Sequence, residues 1–444
     1  MGQVIMFIKG SYRCVAAVIV FCLSWLNCHG ENDVLVGIFR LKPCDDDSLY
    51  FSVSINEDAI DQMECDTLLV PSEVKDDNNV YRVKHIADRG FRKCSFFHHL
   101  IIDEGIETIG NNAFEMCTGM SSVSLPSTLS EIGESLFYGA CALRQIEVSG
   151  SNPVFDSREQ CNAIVLTSEN AVVVGCASTV LPSSVAQIHK KAFSGCFALE
   201  SFCVPQWVRD IEEYAFEDCI SLKEIRFPEN GHLHVGESVF DGCVSLSAFH
   251  LPKGDFSFFY NPFTNCENLT TFTVDPANGE WYSNDAQDAL IYRDGEILFA
   301  GSKNTAIPDG VKRISSAAFS GCRFLTRIYI PASVECIDYG AFKGCSNLTS
   351  IEVDRSNKQY DSRENCNCII ESSTNKIICG SSLSTIPQSV EAIGEYAFYK
   401  MDTPCILRIP DNVKRIENFA FSCCDVLREV IVPKETKLSP NSFF

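Results

Sequence analysis

The segment Ile314-Ser-Ser-Ala-Ala-Phe319-Ser-Gly-Cys322-Arg-Phe-Leu325-Thr-Arg-Ile328-Tyr-Ile330-Pro331 decides how this chain is read. Its apolar anchors, Ile314, Phe319, Leu325, Ile328 and Ile330, are spaced 5, 6, 3 and 2 apart. No single helix or strand keeps such a series. Only the last pair has strand spacing, and Pro331 ends that strand because it cannot donate to a ladder. The remainder is turn. The segment therefore reads as one coil of a solenoid, a short strand followed by turns that return the chain over its start.

Outward from this segment the pattern repeats. Its phenylalanine recurs as Phe91, Phe114, Phe137, Phe193, Phe216, Phe240, Phe263, Phe319, Phe342, Phe398 and Phe421, with Phe443 at the end. Successive gaps are 23, 23, 56, 23, 24, 23, 56, 23, 56, 23 and 22. The period is 23, and 56 is 23 + 33. Five residues before each Phe stands an apolar residue, Ile in most copies, such as Ile109, Ile211 and Ile393. Six after it stands Leu in most copies, and twelve after it often Pro, as at Pro126, Pro205 and Pro433.

The repeated Leu-x-x-Ile-x-Ile-Pro-x-x-Val-x-x-Ile-x-x-x-Ala-Phe-x-x-Cys resembles the BspA-type leucine-rich repeat of microbial surface proteins, over about residues 80–444. Asp103 stands where the first unit should have Pro, and Met401 where the tenth should have Cys. The resemblance implies a leucine-rich-repeat solenoid, mostly β with short turns and 3-10 segments, of about a dozen 23-residue coils. It further implies one parallel strand per coil, one continuous sheet on one face and tighter turns behind.

The three long gaps carry 33-residue insertions that resemble one another. The first holds Asn152-Pro-Val-Phe-Asp-Ser-Arg-Glu-Gln-Cys161, the third Asn357-Lys-Gln-Tyr-Asp-Ser-Arg-Glu-Asn-Cys366, and the second begins Asn278-Gly-Glu-Trp. Two apolar runs around a polar turn follow in each, as in Ala289–Tyr292 and Ile297–Ala300 around Asp294-Gly295, a strong hairpin signal. Each insertion is expected to add a β-hairpin that bulges from the sheet edge or extends it. It serves as a spacer or as a ligand-contacting ridge.

Residues 1–30 differ from the rest. Lys9 and Arg13 precede an apolar run from Cys14 to Leu26, and small residues Cys28 and Gly30 precede Glu31. This reads as a secretory signal peptide, with an uncut signal anchor as the alternative. Residues 31–79 lack the period and are expected to form a β cap, which an open solenoid end requires. The domain plan is thus 1–30 signal peptide, 31–79 cap and 80–444 solenoid. No second long apolar run follows, so no transmembrane segment is expected.

Thirty-six Lys and Arg against 58 Asp and Glu give a charge of −22, or about −24 once residues 1–30 are removed. Bulk electrostatics then oppose nucleic acid as a partner. Of 24 cysteines, ten sit at or beside the fixed repeat position, among them Cys117, Cys219, Cys243, Cys266 and Cys345. They are expected to be buried thiols packing as small hydrophobes. Off-register Cys44 and Cys65, in a secreted context, are the first choice for a disulfide. No zinc spacing, calcium loop, phosphate loop or catalytic motif is present, so neither a metal site, a cofactor nor an enzyme activity is expected. Asn268-Leu-Thr270 and Asn347-Leu-Thr349 match the glycosylation triplet, as a by-product of the repeat or as true acceptors.

What remains is a surface. Side chains eight and ten after each Phe alternate outward from the strand. Among them Arg226, His250, Arg327, Tyr329 and Arg408 form the expected binding residues, since Arg and Tyr anchor interfaces. With the resemblance, this points to an adhesin-like protein, secreted or at the cell surface, recognising extracellular, host or neighbour-cell proteins. A structural component of the cell envelope without a soluble ligand is the alternative.

Overall fold

The computed structural model describes residues 33–44, 47–56, 65–76, 78–294, 296–401 and 406–443. The signal-peptide stretch and Gly295 of the Asp294-Gly295 turn lie outside them. The fold is a β-solenoid of about 15 turns with almost no helix. Each Phe repeat behaves as its spacing requires. In Arg327–Ile330, Ile328 and Ile330 face inward at 4% and 0% exposure, while Arg327 and Tyr329 face out. The following repeat is stacked on it in parallel, 23 residues on, with Arg327 opposite Ser350 and Ile330 opposite Val353.

Two expectations need correction. First, a coil carries two strands. The residue five before the Phe lies in a second strand, two residues long in most coils, as in Arg313–Ile314 and Cys336–Ile337, and these pair in parallel along a second face. One buried residue beside one outward residue suffices for a strand, which apolar spacing alone does not reveal. Second, the first face is not one continuous sheet. It comprises a four-stranded sheet from Thr67–Val70 to Gln145–Val148, then four two-stranded pairs, those of Ser201–Cys203, Ala248–Leu251, Arg327–Ile330 and Ile406–Arg408 with their successors. Three of the breaks fall at the insertions. The fourth falls where the coil between Phe216 and Phe240 is one residue longer.

The insertions account for the excess over a dozen coils, because each forms a turn of its own. Each is a three-stranded antiparallel unit whose last strand runs parallel with the next coil, so it extends the second face. The second is Trp281–Ser283, Ala289–Tyr292 and Ile297–Gly301, and Ile297–Gly301 pairs with Arg313–Ile314. The hairpins repeat even their register shift, at Ile164/Val165, Leu290/Ile291 and Ile369/Ile370. The two 3-10 segments among the described residues, Arg158–Gln160 and Arg363–Asn365, both lie in insertions; behind the repeats the chain forms turns.

Each insertion is pinned by one asparagine. Asn357 donates its side-chain amide to the carbonyls of Pro331 (2.7 Å) and Val334 (3.0 Å), and its Oδ1 accepts the N–H groups of Gln359 and Tyr360. Asn152 makes the same four bonds to Pro126, Leu129, Val154 and Phe155. Asn278 holds Pro252 and Gly254 in the same way. All four hydrogen-bonding capacities of the side chain are used, which explains why this residue opens every insertion.

The core is a ladder of rings and thiols. Phe193, Phe216, Phe240 and Phe263 stack at 4.9, 5.7 and 5.7 Å, close to the strand spacing that sets their separation. Where one Phe coil directly follows another, the cysteine three residues after the second Phe donates its thiol to the carbonyl of the first, as Cys219 to Phe193 (3.2 Å), Cys243 to Phe216 (3.2 Å), Cys266 to Phe240 (3.1 Å) and Cys345 to Phe319 (3.2 Å). The repeat cysteines therefore pack as small apolar groups and also satisfy a buried acceptor. Alanine offers the first role alone. The stack of rings breaks at the three insertions.

Candidate functional site

The outward rows of the first face carry the five expected binding residues, and all five are exposed. Alternation along each strand puts them there: Ile225, Phe249 and Ile328, their inward neighbours, are 1–4% exposed. They do not form one surface. Arg226, His250, the Arg327 and Tyr329 couple, and Arg408 lie on four separate two-stranded sheets. Only Arg327 and Tyr329 share a strand.

Their electrostatics also differ. Arg226 makes a two-pronged bond to Glu224 on its own strand, at 2.7 and 2.8 Å, so much of its charge is spent. His250 Nδ1 lies 2.8 Å from the Thr273 hydroxyl. Tyr329 donates its hydroxyl to Asp354, which raises the phenol above its ordinary range and holds the carboxyl below its own. Among the described residues, Arg327 makes no ion pair, and its ring-bearing neighbour Tyr329 is 46% exposed. This couple offers an uncommitted cation beside an aromatic face.

Cys44 ends the strand Phe39–Cys44 on the second face, whereas Cys65 precedes Thr67–Val70 on the first and donates its N–H to Phe96. A bridge between them remains a proposal. Among the described residues, no group of His, Cys, Asp and Glu is arranged to hold a metal ion. No helix there is long and apolar enough to cross a membrane.

Two further features escaped the sequence reading, although each left a trace. The asparagine that opens each insertion is visible in the aligned insertions. Tyr260 and Tyr339 stand three residues before a Phe, where other copies carry Asp, Asn, Glu, Lys, Ser or Pro. Each is the last such position before an insertion.

The geometry and the repeat agree with a family. The model of the BspA-type leucine-rich repeat region matches residues 80–166, 175–284, 295–381 and 378–444. The chain belongs to this family. Among solved structures it is similar to a leucine-rich cell surface protein from Faecalibacterium prausnitzii, at 19% identity over 92% of this chain and 95% of that one, with a TM-score of 0.42. It is also similar to a leucine-rich repeat protein from Bacteroides ovatus, at 21% identity over 91% and 90%, with a TM-score of 0.36. The pneumococcal vaccine antigen PcpA follows at 14% identity over 93% and 89%, with a TM-score of 0.29. No curated protein matches the chain.

Proposed function

We propose that this chain is a secreted or cell-surface binding protein that recognises extracellular, host or neighbour-cell proteins through outward side chains of the first face. The observation that carries the reading is the strand Arg327–Ile330. Its inward residues are sealed in the core, while its outward Arg and Tyr stand uncovered beside each other. Arg and Tyr are the residue types most enriched where a few contacts dominate binding. The interrupted sheet changes the form of the proposal. Four small patches replace one broad face, and the Arg327 and Tyr329 patch is the principal one.

The acidic remainder of the chain supports selectivity, because a net charge of −22 repels acidic surfaces that do not present a matching stretch to the patch. The test is a screen of residues 31–444 against extracellular-matrix and cell-surface proteins. Saturable binding to at least one of them is expected. Absence of binding across the screen would favour the envelope scaffold.

A further inference from the structure

An inserted turn is a wedge on one side of the solenoid. It carries strands for the second face but no Phe turn, so the Phe turns before and after it meet directly. At the first insertion they are tied by the Gly139 N–H to the Gly195 carbonyl, 2.9 Å. At the second, the Asn265 N–H donates to Ser320 (3.3 Å) and the Asn261 amide to Ala317 (2.7 Å). At the third, no backbone hydrogen bond joins 338–344 to 394–400 among the described residues. Side chains bridge the turns there instead, Tyr339 reaching Glu395 and Lys343 reaching Tyr396, and a cleft of about 230 Å³ opens between them, against about 20 Å³ at the first insertion.

We propose that this cleft is a saccharide site that takes one pyranose ring. Its size is below the ~300–1,000 Å³ that suits drug-sized ligands, and fits a single ring. Tyr339 forms the aromatic wall. It is 57% exposed and held in place by a hydroxyl bond to Glu395 (3.0 Å) and by edge contact with Tyr396 at 5.5 Å. The faces of Tyr396 are engaged already, by Phe419 stacked at 5.2 Å and Lys343 Nζ 4.3 Å from its centroid. Tyr339 is thus the ring left to meet the C–H face of a sugar.

The polar lining matches a hydroxyl-rich ligand better than an ion. Asp338 is paired with Arg313 and Glu417 with Arg415. Glu371, Glu395 and Lys376 line the cleft without an ion pair among the described residues. Four acidic groups (Asp338, Glu371, Glu395, Glu417) and two basic ones (Lys343, Lys376) line the cleft, and Arg313 and Arg415 behind it offset Asp338 and Glu417, so a charged ligand gains little net attraction. Glu395 already accepts from Tyr339 and Glu371 from Thr374, but the remaining lone pairs of each carboxylate accept from sugar hydroxyls and the Lys376 ammonium donates to them, as charge-assisted bonds. This site is independent of the first-face patch.

Saturation-transfer NMR of the full chain with millimolar glucose, galactose, mannose and N-acetylglucosamine tests the proposal. Transfer to the ring protons of at least one sugar is expected. Tyr339→Ala should abolish it, and Glu395→Gln should weaken the affinity at least tenfold, with circular dichroism unchanged. Lys376→Met, which removes none of the hydrogen bonds or ring contacts that hold Tyr339 and Tyr396, should weaken it too and serves if Tyr339→Ala disturbs the fold. No transfer from any of the four sugars, or transfer untouched by these variants, overturns the proposal. Equal competition by free arginine or citrate would do the same, since it would mark an ion site.

Discussion

Gly301, the last residue of the strand Ile297–Gly301 in the second insertion, lies directly beneath the ring of Phe319: a Cβ on Gly301 would sit 2.2 Å from Phe319 Cε1. Gly175 beneath Phe193 and Gly380 beneath Phe398 repeat the arrangement. The glycine seats the first ring of each new stack, which explains how the Phe ladder restarts after every wedge. Gly301→Ala should therefore destabilise by overpacking, by about 1–3 kcal/mol. Phe319→Ala should cost about 3–5 kcal/mol. In the double variant the methyl falls into the space the ring vacates, so the two costs should not add. Urea titrations of the two single variants and the pair measure this coupling. Full additivity would show that ring and glycine do not share the site.

This contact shows where the sequence was legible and where it was not. Phe319, Ile328, Ile330 and Leu325 recur at fixed spacing, so the coil and its inward residues could be read directly. The hairpins were legible too, from paired apolar runs such as Ala289–Tyr292. The second strand was not, because a buried Ile314 beside an outward Arg313 has no periodicity to detect. Nor was the division of the first face, which depends on where the insertions and the one longer coil sit in three dimensions. The seat of Phe319 on Gly301 spans 18 residues and two turns, and the thiol of Cys345 on the Phe319 carbonyl spans 26. Such contacts follow only from the stacking.

Removal of the asparagine clasp should loosen an insertion without unfolding its neighbours. Asn357→Ala removes the side-chain partner of the Val334 carbonyl and of two N–H groups, and leaves the Pro331 carbonyl only its 3.3 Å bond from the Val334 N–H. Leaving a buried group unsatisfied costs ~1–3 kcal/mol. Faster amide exchange is expected in the hairpin Ile369–Glu371 and Lys376–Cys379, with exchange in Arg327–Ile330 little changed. Asn357→Asp keeps the acceptor and loses the donors, so it should recover part of the protection. Equal exchange in wild type and Asn357→Ala would assign the pinning elsewhere.

The buried thiols should make the fold sensitive to alkali. Burial pushes Cys379 up to about 12 and Cys345 well above its ordinary value. An unfolded thiol ionises near ~8.5. Below that pH both states hold the proton and stability is full. Above it the unfolded chain loses protons that the folded chain keeps, so stability falls as the pH rises towards the folded value. Each such thiol adds up to ~1.4 kcal/mol per pH unit to the fall. Urea midpoints measured between neutral pH and about pH 10 should decline, and Cys345→Ala should flatten the slope even though it lowers the starting stability. A slope unchanged by Cys345→Ala would remove this thiol from the alkaline transition.

The last expectation concerns the Arg327 and Tyr329 patch. Both side chains leave the same strand on its outward side, with Ser350 and Glu352 opposite them on the next coil. Tyr329 is steadied by Asp354, so little freedom is lost when a partner covers its ring. Arg327 brings a planar cation that forks onto carboxylates, which suits an acidic stretch on the partner. Replacing both with alanine should weaken binding of a protein found in the screen by about 2 kcal/mol or more. Stability should change little, because neither side chain contributes to the core. Arg327→Lys separates the contributions: it keeps the charge and loses the fork, so partial loss is expected. Arg226→Ala, whose cation is already committed to Glu224, should have the smaller effect. Equilibrium binding of these variants decides the matter. Undiminished affinity in the double variant, with its circular dichroism intact, would move the binding surface off this strand.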